Sequence, residues 1–104
     1  MNDTCRERLL EAVERFNRRD ERYFELYDPG VVLHAFPEGV TDLETARPFY
    51  LGLWEQLPDA QIEIHGIEDA GPDTIRVHFT FAGEDAVTTM RFVDGRVVER
   101  WQGS

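Results

Sequence analysis

The chain contains no lysine: all 11 basic residues are arginine, set against 21 aspartates and glutamates for a formal charge of −10. That balance repels a nucleic-acid backbone or an anionic membrane surface on average, so neither is an expected partner. The all-arginine usage points to a GC-rich genome and, with the acidity, leaves a salt-adapted surface open. The single cysteine, Cys5, excludes an internal disulfide and a cysteine-held metal. Long apolar runs are missing too. Nothing approaches the ~18 to 20 residues that a membrane span needs, and Met1 to Arg8 is polar where a signal peptide carries its apolar segment. A cytoplasmic protein is therefore expected. There is no G-x-G-x-x-G, Walker loop, nucleophile elbow or Cys/His pair. His34, His65 and His78 fall on three separate segments without metal-ligand spacing, so neither a cofactor nor a metal is implied.

What is present is enough for one core: 104 residues, 41% hydrophobic and 12% aromatic, with no linker, repeat or low-complexity tract. One domain over residues 1–104 is expected. Asp3 can cap a first helix to about Arg19, since Cys5, Leu9, Ala12, Val13 and Phe16 recur at helical spacing. A short helix over Asp20 to Tyr27 should end at an Asp28-Pro29-Gly30 turn, and Val31 to Phe36 reads as a strand. Thr41 and Glu44 have the spacing of a capping box for a third helix that ends at Pro58, with Pro48 expected to kink or restart it. The period then changes to two. Strands are expected around Ile62 to Ile67, Ile75 to Phe81, Ala86 to Val93 and Arg96 to Gln102, with turns at Asp69 to Asp73, Gly83-Glu84-Asp85 and a tight Asp94-Gly95 hairpin. The predicted order α-α-β-α-β-β-β-β is an α+β fold, helices packed on one face of a curved antiparallel sheet. Val87 and Val93 alternate against Met90 and Phe92, and Val97 and Trp101 against Val98, so both sheet faces carry apolar residues. A homodimer through the sheet is the economical expectation.

Several segments in this order resemble the nuclear transport factor 2-like superfamily, within it the SnoaL-like polyketide cyclase and ketosteroid isomerase-like group. They are Phe16-Asn17-Arg18-Arg19-Asp20, Leu26 to His34, Ala46-Arg47-Pro48-Phe49-Tyr50 and Met90 to Trp101. The resemblance covers nearly the whole chain. It implies a cone-shaped α+β barrel with a deep apolar pocket between sheet and helices, often dimeric, and a small apolar molecule as ligand. Members act as isomerases, cyclases, dehydratases, epoxide hydrolases or non-catalytic modules, so the fold does not decide the function. Isomerase members carry a tyrosine at the end of the first helix, a carboxylate base on the first strand and a protonated carboxyl group on a late strand. The matching positions here hold Phe16, His34 and Thr88. That set is absent, so an isomerase reaction of that kind is not expected, because Phe16 donates nothing and a threonine hydroxyl is a weaker oxyanion donor than a neutral carboxylic acid. Cyclase-like members continue past the final tryptophan with a further acidic residue, where this sequence has Gln102-Gly103-Ser104.

His34 is the first candidate for chemistry, as a general base facing the pocket. Its plainer reading is a sheet hydrogen bond or a solvent-facing side chain. His78 alternates with Val77 and Phe79 and is expected on the opposite face, and His65 at the surface. The resemblance places Tyr27 and Tyr50 in a tyrosine network that lacks its third member, since Phe16 stands there. That cluster reads equally as structure. Trp54 and Trp101 are aromatic walls if they face a cavity and ordinary core if they do not. Arg100 alternates with Val98 and Gln102 and can point inward to bind a carboxylate or an enolate, or pair with a surface acid. The expected ligand-contacting set is thus Phe16, Tyr27, Tyr50, Trp54, Thr88, Met90, Arg100 and Trp101. The two functions left open are proton-transfer chemistry on an apolar carbonyl or polyketide-like substrate, with His34 as base and Tyr50 or Arg100 as electrophile, and a non-catalytic ligand-binding or dimerisation module.

Overall fold

The computed structural model describes residues 3–103. Helix α1 (Asp3–Asn17) and a 3-10 helix (Glu21–Leu26) precede strand β1 (Tyr27–His34). Helix α2 (Leu43–Gln56) follows, and then strands β2 (Glu63–Gly71), β3 (Thr74–Phe81), β4 (Glu84–Val93) and β5 (Arg96–Gln102). The order is the expected one and the fold is α+β. The five strands make one sheet in the order β1-β5-β4-β3-β2. It is mixed where an antiparallel sheet was expected: β2 through β5 pair antiparallel, whereas β1 lies parallel to β5. Parallel neighbours need a long crossover between them, and here α2 and strands β2 to β4 intervene.

Three local expectations shift. Asp28-Pro29-Gly30 does not end the second helix but runs inside β1, where the pairing register slips between Tyr27 and Val32. A bulge tolerates a proline without an N–H, and the Asp28 carboxylate satisfies the Gly30 amide at 2.7 Å. The capping box is one residue later than Thr41 and Glu44: Asp42 accepts from the Thr45 amide (2.9 Å), and the Thr45 hydroxyl accepts from the Asp42 amide (3.1 Å). Asp42 competes well for the cap position because its carboxylate is also drawn to the helix N-terminus. Pro48 neither kinks nor restarts the helix, which runs unbroken from Leu43 to Gln56 with Pro48 on its exposed side. The Asp94-Gly95 hairpin is as expected, with φ of 53° and 80°, the left-handed pair that a two-residue turn requires.

α1 and α2 bury their apolar stripes on the inner sheet face, against Ile75, Val77, Met90, Phe92 and Val97. Phe16 is the hub. Its ring lies edge-on to Tyr23, Tyr50, Trp54 and Phe81 at centroid distances of 5.2 to 5.9 Å, contacts worth about 0.5–1.5 kcal/mol each beyond area burial. The residues after it tie the helix down. Asn17 exchanges two hydrogen bonds with the Ile62 backbone, at 2.7 and 3.1 Å. Arg19 donates from Nη2 to the carbonyls of Leu57 and Ala60, both at 2.6 Å. These bonds close the loop between α2 and β2 over the end of α1.

The outer face carries Arg76, His78, Arg91, Glu99 and Trp101. Val32 and Val93 are its most exposed apolar residues, at 47% and 48%. A bulge in β5 sets its phase: Arg91 pairs with Glu99 but Phe92 pairs with Val97, so Val98 is the extra residue. Val97 and Trp101, expected on one face, therefore lie on opposite faces, and Val97 shares the inner side with Arg100.

Candidate functional site

Arg100 pairs across the sheet with Met90 on one side and Leu33 on the other, both buried, so it enters the core from the middle of β5. Its guanidinium meets three elements. Nη1 donates to the hydroxyls of Tyr27 at the start of β1 (2.6 Å) and Tyr50 in the middle of α2 (3.0 Å). Nε donates to Thr88 Oγ1 on β4 (2.9 Å) and Nη2 to Gln102 Oε1 (3.1 Å). The Phe36 ring lies 5.1 Å from the guanidinium carbon, within cation–π range. A guanidinium has five N–H groups, and these contacts use four. Among the described residues the fifth, on Nη2, has no acceptor.

The tyrosine network has its third member after all. Tyr23, on the 3-10 helix, shares a 2.6 Å hydrogen bond with Tyr27, so a hydroxyl at position 16 is not needed. The four-residue spacing of Tyr23 and Tyr27 was the available signal. Burial pushes both phenols well above the ordinary tyrosine value, against the opposing pull of Arg100, and keeps them neutral. Burial also disfavours the Arg100 charge, whereas the hydrogen bond to the Tyr27 hydroxyl favours it, and the guanidinium lies above its ordinary value. Tyr50 accepts from Arg100, which leaves its own hydroxyl proton without an acceptor among the described residues.

Arg100, Tyr23 and Tyr50 lie at an apolar cleft of about 290 Å³ between the helices and the sheet, walled by Phe16, Phe36, Phe49, Leu53, Ile62, Phe79 and Phe81, with Gln102 beside them. A second space of about 30 Å³ adjoins it through Tyr23, Ile62, Phe79 and Arg100, and Thr88 and Met90 line that one. The larger space sits at the lower bound of the roughly 300–1,000 Å³ usual for drug-sized ligands.

The structure gathers most of the expected residues here. Phe16, Tyr50 and Arg100 line the cleft, Tyr27 holds Arg100, and Thr88 and Met90 line the smaller space. Trp54 does not line the cleft. It is packed in the core, 6% exposed, with its indole N–H unpartnered. Phe49 and Phe81, both half-buried, are walls that sequence reasoning did not single out.

His34 and Trp101 are elsewhere. Val31 and Leu33 are buried, so the alternation of β1 turns His34 to the outer face, away from Arg100. There its ring stacks on Trp101 (centroids 5.3 Å apart, 11° between planes), and Nε2 hydrogen-bonds Glu99 Oε2 at 2.9 Å. Glu99 also accepts from Arg91 Nε and Nη2, at 3.2 and 3.1 Å. The hydrogen bond to His34, more than the Arg91 contacts, holds the Glu99 carboxyl below the ordinary glutamate value. His78 is also on the outer face, bonded to Glu68 Oε1 at 3.0 Å, and His65 is exposed. Among the described residues no group of His, Cys, Asp or Glu is arranged to hold a metal ion, and no helix is long and apolar enough to cross a membrane.

A helix-covered mixed sheet with a polar cluster at an apolar cleft defines a nuclear transport factor 2-like domain. Within that class the chain belongs to the SnoaL-like domain family, whose model matches residues 7–100. Solved structures agree. A SnoaL-like protein of unknown function from Burkholderia thailandensis aligns with a TM-score of 0.84 at 21% identity, over 98% of this chain and 95% of that one. AclR from Streptomyces galilaeus, a candidate hydroxylase, aligns at 0.77 and 26% identity over 93% and 75%. IdmH from Streptomyces antibioticus, a candidate polyketide cyclase, aligns at 0.76 and 22% over 92% and 88%. No curated protein matches the chain significantly.

Proposed function

We propose that the protein binds a small apolar molecule in the cleft between helices and sheet and holds that molecule's carbonyl-type oxygen on Tyr50 and Arg100. One observation carries this reading: two hydrogen-bond donors beside an aromatic cleft, the Tyr50 hydroxyl proton and the fifth Arg100 N–H, have no acceptor among the described residues. Donors fixed in a low-dielectric site stabilise negative charge developing on an oxygen, the electrophilic half of cyclase or isomerase chemistry. The likeness to AclR and IdmH agrees with it. A base is harder to place. Among the described residues lining the cleft the titratable groups are Tyr23, Tyr50 and Arg100, so the geometry favours binding and polarising over removal of a proton by His34.

A thermal-shift screen with one- and two-ring ketones and short acyl compounds tests the reading, since a ligand that binds only the native state raises the melting temperature. The expected pattern is stabilisation of the wild type and of His34→Ala, with loss in Tyr50→Phe and Arg100→Gln. Stabilisation that survives Tyr50→Phe and Arg100→Gln but fails in His34→Ala would move the site to the outer face.

For the outer face we infer a second copy of the chain as occupant. Its charges alternate in sign, Glu68 beside Arg76 and Glu99 beside Arg91, which suits a two-fold contact, and Val32 supplies exposed apolar area. Sedimentation equilibrium should report a dimer that Val32→Glu converts to monomer; a monomeric wild type rejects the contact.

A further inference from the structure

Arginine stays charged at any physiological pH, and Arg100 carries that charge at 6% exposure. Arg6, Arg15, Arg22 and Arg91, all more exposed, have carboxylate partners in Asp69, Glu11, Asp20 and Glu99, while the half-buried Arg19 rests on the backbone carbonyls of Phe16, Leu57 and Ala60. Arg100, the one for which water does least, has only neutral acceptors, the hydroxyls of Tyr27, Tyr50 and Thr88 and the amide oxygen of Gln102. Burial pushes the phenols of Tyr23 and Tyr27 up and keeps them neutral, so they offer lone pairs and no charge. A buried cation without an anion is costly, and proteins relieve that cost by pairing.

We propose that the missing anion belongs to the ligand: the cleft takes an apolar monocarboxylic acid, with its carboxylate on the Tyr50 hydroxyl and the fifth N–H of Arg100. The proposal rests on the cleft being a ligand site. The number of charges is set by the walls. Among the described lining residues Arg100 is the sole cation and the rest are mostly aromatic or aliphatic, so a second negative charge, as on a phosphate, would go unpaired. The size is set by the roughly 290 Å³ of space, room for a single ring with a short chain. A guanidinium edge with a hydroxyl beside it matches the planar fork of a carboxylate better than a single ketone oxygen, which fills only one of the two donors.

Titration calorimetry at pH 7 with phenylacetate, cinnamate and hexanoate, each beside its neutral primary amide, reads the charge directly, because each pair differs little in shape. The acid should bind more tightly than its amide by a factor of about 10 to 100, the range of a charge-assisted hydrogen bond. Arg100→Gln should erase that ratio, and Tyr50→Phe should reduce it. Where Arg100→Gln fails to fold, the Arg100 Nε–H resonance of the ¹⁵N-labelled wild type gives the same answer, shifting on addition of phenylacetate and not of phenylacetamide. Acid and amide binding equally would overturn the anion and leave the pocket standing. An acid preference that persists in Arg100→Gln, or an Nε–H resonance that does not move, would put the anion elsewhere. No binding of either member of any pair by folded protein would sink the pocket reading itself.

Discussion

Two polar clusters sit on consecutive residues of β5 and differ in almost every respect. Glu99 and Trp101 point outward, where His34 stacks on the indole and bonds the carboxylate, with Arg91 completing the set. Arg100, between them, points inward to neutral hydroxyls. The outer cluster has its charges matched and remains partly hydrated, with the His34 side chain 39% exposed. The inner one has, among the described residues, a cation without a carboxylate and two donors without acceptors. Charge that is both matched and hydrated needs nothing further, so the histidine–carboxylate pair that looks most like a catalytic dyad is explained without a ligand. The arginine, which a sequence reader would first assign to a surface acid, has no carboxylate partner among the described residues.

The comparison breaks first if the inner face is not the energetic centre. Phe16→Ala removes a ring that is 2% exposed and touches four other aromatic side chains. A loss of about 3–5 kcal/mol is expected in urea unfolding, a large share of the roughly 5–15 kcal/mol that holds a small domain folded. Tyr27→Phe should come next. It strips the acceptor from an Arg100 N–H and the partner from Tyr23 while barely changing volume, for a loss of about 1–3 kcal/mol. His34→Ala on the outer face should cost less than about 1 kcal/mol, since its bond to Glu99 is solvent-screened. A larger cost than that of Tyr27→Phe would mean that the outer cluster supports the fold.

Why the inner cluster was only half legible follows from the sheet. The amphipathic stripes of α1 and α2 and the two-residue period of β2 to β5 are local patterns, and the elements they predict are present. Segment Val31-Val32-Leu33-His34 has no such pattern: three apolar residues in a row do not say which face is buried, and the parallel pairing with β5 decides it from 65 residues away. Counting alternation from Val97 without the bulge at Val98 puts Arg100 on the outer face, whereas counting back from Gln102, beyond the bulge, puts it on the inner one. The cap moved from Thr41 to Asp42 because both can accept from a backbone amide and only three-dimensional context chooses between them. Tyr23 was passed over because a tyrosine was expected at position 16, although its hydroxyl reaches the same network from the 3-10 helix.

The smallest expected effect sharpens the comparison most, because it separates the clusters by charge alone. The Glu99 carboxyl is held below its ordinary value chiefly by the His34 hydrogen bond, with Arg91 adding to it. A carboxyl depressed in the folded state contributes stability that is fully present above the unfolded value, about 4.3 for glutamate. That stability is lost as pH falls through the lower folded value, because the unfolded chain takes up the proton first. Glu99→Gln keeps an acceptor for His34 but removes the titration, so between about pH 5 and 3 its melting temperature should fall less steeply than that of the wild type. The difference should correspond to under about 1 kcal/mol for a half-exposed pair. The inner cluster should not respond in that window, since its buried phenols stay protonated and its arginine stays charged. Tyr27→Phe should therefore lower the melting temperature by the same amount at pH 5 and pH 3, as seen relative to the wild type at each pH. If that decrement changed between the two pH values, a carboxyl group would have to be coupled to the inner network, and Arg100 would no longer be a cation without a partner.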